Sequence, residues 1–373
     1  MRIIIILLLF VACARPRVEE IPSPAGTGAA EPHLSAGRHG SLLMSWIENG
    51  SVRVSRFGEG VWEAPSTVVA RNDLFVNWAD FPSVVELSDA TLLVHWLQKS
   101  GAGKYAYDVR FALSKDRGKT WSASRLLHDD GTQTEHGFAS LVADASRPLA
   151  HAVWLDGRKM AAGGDMTLRY ATISSDGTLA SPAELDTRTC ECCTTALAAT
   201  DGGLIAAYRD RTAEEIRDIS LVRGNAIGWS APAPLHRDGW KIAGCPVNGP
   251  QLDARGNDVV VAWFTKDRVL VAFSRDGGAT FSEPRRIDGG KPVGRVDVVL
   301  REDGDAFVTW IDGSAVVGRR VPRDGAPEPI FTIARTTTAR ASGFPRAARV
   351  DGKTYVAWTE VEPRKRIRLA RVQ

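Results

Sequence analysis

Short apolar runs that end in an aromatic residue recur along the whole chain. The seven runs end at Trp46, Trp96, Trp154, Tyr208, Trp263, Trp310 and Trp358. Successive end points are separated by 50, 58, 54, 55, 47 and 48 residues. Around these runs apolar and polar residues alternate with period two, as at Val52 and Val54, which is typical of strands. A period near 50 residues built from short strands predicts an all-β propeller of seven four-stranded blades, with six blades as the alternative.

Each unit divides into an inner strand A, the apolar strand B that ends in the aromatic, an alternating strand C and an outer strand D. Strand D opens with an aromatic residue and a nearby proline in several units, as at Trp62 to Pro65. Proline is tolerated there because an outer strand is a sheet edge. The last unit supplies only three evident strands. We therefore expect the segment 18–21 to provide its fourth strand and to close the ring.

The N-terminus has the pattern of an export signal. Arg2 is followed by an apolar run from Ile3 to Ala12, which is too short to span a bilayer, and then by Cys13. Because the residues before Cys13 resemble a bacterial lipobox, residues 1–12 are predicted to be a signal peptide and Cys13 to be lipidated. An ordinary cleaved signal is the alternative. Residues 13–31 then form a tether rich in Pro, Gly and Ala, and residues 32–373 form one propeller domain.

These features predict an exported, monomeric protein of the bacterial cell envelope, held in the periplasm or on the outer surface by its lipid alone. Removal of residues 1–12 takes away only Arg2 among the charges, so the formal net charge falls from +3 to +2. So small a net positive charge does not indicate a protein that binds nucleic acid. The expected partner is a glycan, another small molecule or an envelope protein.

Two turns between strands C and D have the same sequence pattern. They read Ser114-Lys-Asp116-Arg-Gly118-Lys-Thr120-Trp121 and Ser274-Arg-Asp276-Gly-Gly278-Ala-Thr280-Phe281, and residues 174–178 are a degenerate third copy. Within each turn the Asp is expected to cap backbone amides and the Gly to take a positive φ. This pattern resembles the Asp box of sialidases, and the chain is similar to bacterial sialidase-like, BNR-repeat β-propeller lipoproteins. The box is structural and implies the fold more than any activity.

The resemblance does not extend to the sialidase active site. Sialidases carry a Phe-Arg-Ile-Pro motif, whose Arg joins two others to hold the substrate carboxylate, and a Tyr nucleophile activated by a Glu. The nearest segment here is Phe81-Pro82-Ser83, which has no Arg. Sialidase propellers also have six blades, whereas this chain has seven units.

The unusual residues of the chain fall on one face of the predicted ring. We call it the top rim; it comprises the B-to-C turns and the D-to-A links, opposite the C-to-D turns. Long loops on one face of a rigid scaffold are where binding residues usually lie. The candidate acids and nucleophiles are Asp80, Glu135, Asp156, Tyr105, Tyr107 and Tyr208, although Tyr208 replaces a core Trp. The candidate substrate-binding residues are Arg209, Arg211, Arg217, Arg158, Arg295 and Trp78.

Four further cysteines lie on adjacent parts of this rim. They are Cys190, Cys192, Cys193 and Cys245. In an oxidising compartment a disulfide between Cys245 and one of the other three is the first expectation, because close neighbours in sequence pair poorly. A thiolate site for a soft metal ion, Cu(I) or Zn²⁺, is the alternative, and His136 could add a nitrogen ligand.

Two functions follow from these residues. The first is a binding module for a metal, a glycan or a protein. The second is an exo-acting, sialidase-type glycoside hydrolase on an anionic sugar, in which paired guanidinium donors would grip the carboxylate. The missing Phe-Arg-Ile-Pro motif favours the binding module.

Overall fold

The computed structural model describes residues 17–373, which form a closed ring of seven antiparallel blades. The all-β, seven-bladed prediction is therefore confirmed. The predicted signal peptide and Cys13 lie outside the described residues. Among those described, no helix is long and apolar enough to cross a membrane.

The first four blades have their strands in chain order from the centre outwards. Blade 1 comprises β2 (Ala30–Ala36), β3 (Leu42–Glu48), β4 (Ser51–Gly58), β5 (Val61–Trp62) and β6 (Ser66–Ala70). Blade 2 comprises β7 (Ser83–Glu86), β8 (Leu92–Lys99), β9 (Tyr107–Ser114) and β10 (Arg125–Leu126). Blade 3 comprises β11 (His136–Ala143), β12 (Leu149–Asp156), β13 (Thr167–Ser174) and β14 (Leu179–Asp186). Blade 4 comprises β15 (Ala196–Thr200), β16 (Gly203–Arg209), β17 (Ile219–Asn225), β18 (Gly228–Trp229) and β19 (Ala233–Pro234).

The remaining three blades complete the ring. Blade 5 comprises β20 (Gln251–Arg255), β21 (Asp258–Thr265), β22 (Arg268–Ser274) and β23 (Arg285–Arg286). Blade 6 comprises β24 (Pro292–Leu300), β25 (Ala306–Asp312), β26 (Ala315–Val321) and β27 (Phe331–Arg335). Blade 7 comprises β28 (Arg346–Val350), β29 (Lys353–Glu360), β30 (Arg366–Val372) and, as its outer strand, β1 (Val18–Ile21). Two single 3₁₀ turns, Met160–Ala162 and Arg340–Ser342, lie in the connections.

The N-terminal strand closes the ring as the sequence predicted. β1 pairs with β30 in antiparallel register, so that Val18 lies opposite Val372 and Ile21 opposite Leu369. The final blade is thus built from both ends of the described chain. Such a closure removes the open edge that β30 would otherwise present.

The aromatic residue that ends each strand B packs against the preceding blade. Trp96 of blade 2 lies in a core cluster with Val52 and Val54 of blade 1, and Trp46 of blade 1 lies in one with Leu369 of blade 7. A buried indole removes a large apolar area from water and sets the spacing between the sheets. The repeated aromatic is therefore what joins neighbouring blades.

The two turns that share the Ser-x-Asp-x-Gly-x-Thr pattern have matching hydrogen bonds. Asp116 accepts from the Thr120 amide over 2.9 Å and from its hydroxyl over 2.6 Å. In the other turn Asp276 accepts from the Thr280 amide over 2.9 Å and from its hydroxyl over 2.7 Å. Gly118 and Gly278 have φ values of 88° and 82°. The following aromatics, Trp121 and Phe281, pack towards the preceding blades.

Candidate functional site

The link that precedes blade 3 runs beside the start of β9 on the top rim. Tyr107, the first residue of β9, forms a parallel bridge with Glu135. Strand β11 then begins with a bulge between Gly137 and Ser140, where Phe138 has a φ of 52°. Because bulges redirect individual side chains, this segment can present polar groups to the rim.

The side chains of the two bridge residues also meet. The Tyr107 hydroxyl donates a 2.5 Å hydrogen bond to Glu135 Oε1. The Tyr107 ring is fully buried and stacks on Phe75, with centroids 4.0 Å apart and an interplanar angle of 11°. A fixed phenol is thereby held against a carboxylate that can accept its proton, which is the arrangement a tyrosine nucleophile requires.

The Asp80 carboxylate approaches the same phenol from the neighbouring link. Asp80 Oδ2 accepts a 2.5 Å hydrogen bond from the Phe138 amide and lines the upper part of a central cavity of about 420 Å³. A Cβ placed on Gly137 would lie 2.6 Å from Asp80 Oδ2 and 3.1 Å from the Tyr107 hydroxyl. Only a glycine at position 137 leaves room for both the Asp80 carboxylate and the Tyr107 phenol.

Asp80 and Glu135, the two carboxyl groups beside the Tyr107 phenol, hold their protons unusually tightly. Burial raises the pKa of Asp80 to about 7, against the opposing effect of the Phe138 amide. Burial also raises the pKa of Glu135 to about 7, against the opposing hydrogen bond from Tyr107. The pKa of Tyr107 is raised by burial and by the charge of Glu135. Near pH 7 these carboxyl groups can therefore give or take a proton, as general acids and bases must.

Three of the four cysteines of the rim lie together. Cys190 Sγ lies 3.4 Å from Cys193 Sγ and 3.8 Å from Cys192 Sγ. Cys245 approaches from the next link, but its sulfur is not among the three that lie within 4.8 Å of one another. Cys190 and Cys193 are buried, whereas Cys245 is exposed. The cluster is thus open to solvent on the Cys245 side.

The pKa values of two of the four thiols, Cys190 and Cys245, are lowered, which favours their thiolate forms. Hydrogen bonds from the Cys192 and Cys193 thiols lower the pKa of Cys190, and the Arg217 guanidinium lowers it further. Arg217 Nη1 lies 3.1 Å from Cys190 Sγ. Burial, by contrast, raises the pKa of Cys193. Since the thiolate is the form that binds metals, the lowered pKa favours Cys190 as a metal ligand.

Two predicted substrate-binding arginines form a closed network of ion pairs next to the thiols. Arg217 lies 3.0 Å from Glu191 Oε2 and 2.9 Å from Glu215 Oε2. Arg211 lies 2.7 Å from Glu215 Oε1 and also pairs with Glu191. Hydrogen bonds from Arg211 and Arg217 lower the pKa of Glu215 to about 2. The two guanidinium charges are therefore balanced by two carboxylates.

The other central arginines bind backbone carbonyls. The buried Arg209 guanidinium donates to three of them, at Asn248, Arg217 and Phe264, over 2.6–2.9 Å. Arg295 lies 4.6 Å over the Trp78 ring and also donates to three carbonyls, at Thr338, Ala339 and Gly343, over 2.9–3.1 Å. These donors hold loops in place, so the five candidate arginines do not converge as free guanidinium groups in one pocket.

The remaining candidates lie apart from the thiols and the phenol. Tyr208 donates to Asp186 and belongs to the core between blades 3 and 4. Asp156 is fully buried and pairs with Arg158 over 2.7 Å. The ring of His136 faces this pair rather than the cysteines, with its Nε2 3.8 Å from Asp156 Oδ1.

Neither a protein-family model nor a curated protein matches the chain. Solved structures do resemble its fold. A protein of unknown function from Dyadobacter fermentans has a TM-score of 0.56 at 13% identity, over 96% of this chain and 99% of that one. The NanB sialidase of Streptococcus pneumoniae has a TM-score of 0.52 at 12% identity, over 94% of this chain and 70% of that one. The polysaccharide lyase Uly1 has a TM-score of 0.56 at 9% identity, over 92% of this chain and 89% of that one.

At these identities the likeness establishes the β-propeller fold. The similar structures include a sialidase and a lyase, and one fold hosts many different functions. The function of this chain must therefore be argued from its own rim.

Sequence reasoning did not include His128 among the candidate residues of the rim. His128 lies in the same D-to-A link as His136, and the two rings stack in parallel with centroids 3.7 Å apart. The sequence signal for this residue was the stretch His128-Asp129-Asp130. In it two potential metal ligands, His128 and Asp130, lie eight and six residues before His136.

Proposed function

We propose that the protein is a binding propeller whose top rim holds one thiophilic metal ion, Cu(I) or Zn²⁺, on Cys190, Cys192, Cys193 and Cys245. The observation that carries this proposal is the separation of the sulfur atoms, 3.4 and 3.8 Å from Cys190. A tetrahedral ion with metal–sulfur bonds of 2.3 Å holds its sulfurs about 3.8 Å apart. Cys190, Cys192 and Cys193, whose sulfurs all lie within 4.8 Å of one another, thus need little movement to bind one ion, whereas Cys245 must move towards them to become the fourth ligand.

The charges around the cluster support the same proposal. Several thiolates around one ion carry excess negative charge, which guanidinium groups can offset. Arg217 contacts Cys190 directly, 3.1 Å from its sulfur. The exposed Cys245 leaves a path by which an ion can enter. Thiolate ligands select soft ions over Ca²⁺ or Mg²⁺.

Metal analysis of the reduced, purified domain tests this function. We expect one equivalent of Cu(I) or Zn²⁺ that resists dialysis, and its loss in Cys245→Ser. Because Cys245 is exposed, that variant should fold normally. Met160→Ser, which removes an exposed sulfur elsewhere on the rim, should keep the metal. A metal-free protein with a quantitative disulfide between Cys245 and another cysteine would refute the proposal.

Glycoside hydrolysis is a second candidate, supported by the 2.5 Å hydrogen bond between Tyr107 and Glu135. In this scheme Tyr107 is the nucleophile, Glu135 its base and Asp80 the acid. Against it, the arginines that could hold an anionic sugar are engaged by carbonyls or carboxylates. The binding role is therefore the better supported of the two.

Assays on sialosides and other acidic glycans separate the two candidates. Hydrolysis that is lost in Tyr107→Phe and retained in Tyr105→Phe would establish the enzyme. Tyr105 is the matched control because it is 54% exposed and lies two residues away on the same rim. The binding proposal predicts no turnover by any of the three proteins.

Export and lipid anchoring through Cys13 complete the proposal and rest on the N-terminal sequence pattern. One lipidated cysteine with its acyl chains supplies stable membrane association. Cys13→Ser should therefore move the protein from the detergent phase to the aqueous phase. Unchanged partitioning would rule lipidation out.

A further inference from the structure

A second group of potential metal ligands lies on the top rim between blades 2 and 3. It consists of Asp108 on β9, His128 in the following link and His136 at the start of β11. One ligand atom from each residue lies within 4.8 Å of the other two. The two histidine side chains are at most 1% exposed and Asp108 is 12% exposed. None of these residues belongs to the thiol cluster.

The three facing atoms lack hydrogen-bond partners among residues 17–373. They are Asp108 Oδ1, His128 Nε2 and His136 Nδ1. Asp108 Oδ1 lies 3.3 Å from His128 Nε2 and 3.9 Å from His136 Nδ1. Leaving buried polar atoms unsatisfied is costly, so three such atoms within 4.8 Å of one another indicate a ligand there.

The opposite edges of the two imidazole rings meet a single carboxylate. Asp130 Oδ2 lies 2.9 Å from His136 Nε2, and Asp130 Oδ1 lies 3.4 Å from His128 Nδ1. Asp130 is itself fixed by the Thr132 amide over 2.9 Å and by Arg158 over 3.0 Å. The hydrogen bond between His136 Nε2 and Asp130 sets the tautomer of that ring and makes its Nδ1 a better ligand, as is usual in metal sites, whereas His128 Nδ1 forms no hydrogen bond among the described residues.

We propose that Asp108, His128 and His136 bind one divalent transition-metal ion of the Zn²⁺ type. Two imidazoles and one carboxylate suit Zn²⁺ and similar ions rather than Ca²⁺ or Mg²⁺. Bonds of 2.0–2.1 Å in a tetrahedral site place ligand atoms about 3.4 Å apart. The observed separations of 3.3 and 3.9 Å are close to this value.

Loading must turn at least one ring. The imidazoles are parallel, with an interplanar angle of 0° and centroids 3.7 Å apart. One ion cannot lie in both ring planes in that arrangement, so binding unstacks the pair. The alternative set of Asp130, His136 and Asp156 is less suited, because Arg158 already neutralises both carboxylates from 3.0 and 2.7 Å.

The site adjoins the phenol–carboxylate pair in sequence. Asp108 follows Tyr107, and His136 follows Glu135. An ion bound by Asp108 and His136 would therefore tie together the two segments that position Tyr107 and Glu135. Successive side chains of a strand point to opposite faces, so the two pairs need not share the same side of the sheet. This site shares no ligand with the thiol cluster, so it can bind an ion whether or not the thiols do.

Counting bound Zn²⁺ by isothermal titration and elemental analysis tests this site whether or not the thiols bind metal. Asp108→Asn should bind one equivalent fewer than the wild type. Replacing all four thiols with serine should leave that equivalent in place, and its binding should raise the melting temperature of the variant. Asp130→Asn should lower the Zn²⁺ affinity of this site by 10- to 100-fold without abolishing binding.

His39→Gln, which changes an exposed histidine on blade 1, is the matched control and should leave the count unchanged. Circular dichroism establishes that each variant is folded. Equal Zn²⁺ counts in folded Asp108→Asn and the wild type would overturn the proposal. So would a wild-type count that the four thiols account for completely.

Discussion

Tyr107 and Glu135 are 28 residues apart in sequence and share a 2.5 Å hydrogen bond on the top rim. The contact exists because the link before blade 3 pairs with the first residue of β9. It places a buried phenol beside a carboxyl group whose pKa is raised by burial to about 7. The same link then supplies His136, so one stretch of chain contributes to two adjacent polar clusters.

Gly137→Ala should disturb this arrangement. The added Cβ would lie 2.6 Å from Asp80 Oδ2 and 2.8 Å from Tyr107 Cε2, and such overpacking costs about 1–3 kcal/mol. We expect a lower free energy of unfolding in denaturant titrations. Gly58→Ala, where nothing lies within 4 Å of the new Cβ, should be neutral. Equal stabilities of the two variants would contradict the packing described here.

Ionisation of Asp80 should lower the free energy of unfolding as the pH rises towards neutrality. Its folded pKa is raised by burial to about 7 from an ordinary value of 3.8, so the folded state binds the proton more tightly than the unfolded state. The stability from this group is complete below pH 3.8 and is lost as the pH rises to 7, by a few kcal/mol at most.

Asp80→Asn cannot ionise and should flatten the dependence of unfolding free energy on pH between 4 and 7. Asp267→Asn, which changes an exposed turn carboxylate, should leave the wild-type slope in place. Parallel profiles for wild type and Asp80→Asn would show that Asp80 does not titrate as described.

The ring should depend on its N-terminal strand. Strand β1 forms the outer edge of blade 7, and Arg371 and Arg368 pair with Glu19 and Glu20 there. Deleting residues 1–21 should lower the melting temperature and promote aggregation through the bared β30. Deleting residues 1–16 alone keeps the strand and is the control. Indistinguishable melting curves would show that β1 contributes nothing to closure.

The two matching turns should contribute equally to stability. Asp116→Ala and Asp276→Ala each remove two hydrogen bonds from a threonine, which predicts a similar loss of stability in each case. Chemical denaturation of the two variants measures it. Asp89→Ala removes the hydrogen bond that this carboxylate accepts from the Thr91 amide over 3.0 Å and should cost less. A neutral Asp116→Ala would refute this role.

Much of the fold could be predicted from the sequence, because each blade needs the same alternating strands and the same buried aromatic. The blade count and the use of residues 18–21 follow from that repetition. The rim could be predicted only in outline. Sequence placed Arg209 among ligand-binding residues, whereas its guanidinium binds backbone carbonyls. It also missed His128, since stacking against His136 depends on how two separated segments cross in space.

X-ray absorption at the metal edge tests the central claim most directly, because it reports the atoms bound to the ion. The measurement should use reduced Asp108→Asn protein, so that only the thiol cluster of Cys190, Cys192, Cys193 and Cys245 is loaded. We predict three or four sulfur neighbours at about 2.3 Å from Cu(I) or Zn²⁺. A shell of nitrogen and oxygen alone, or failure of the reduced protein to retain any metal, would contradict the account.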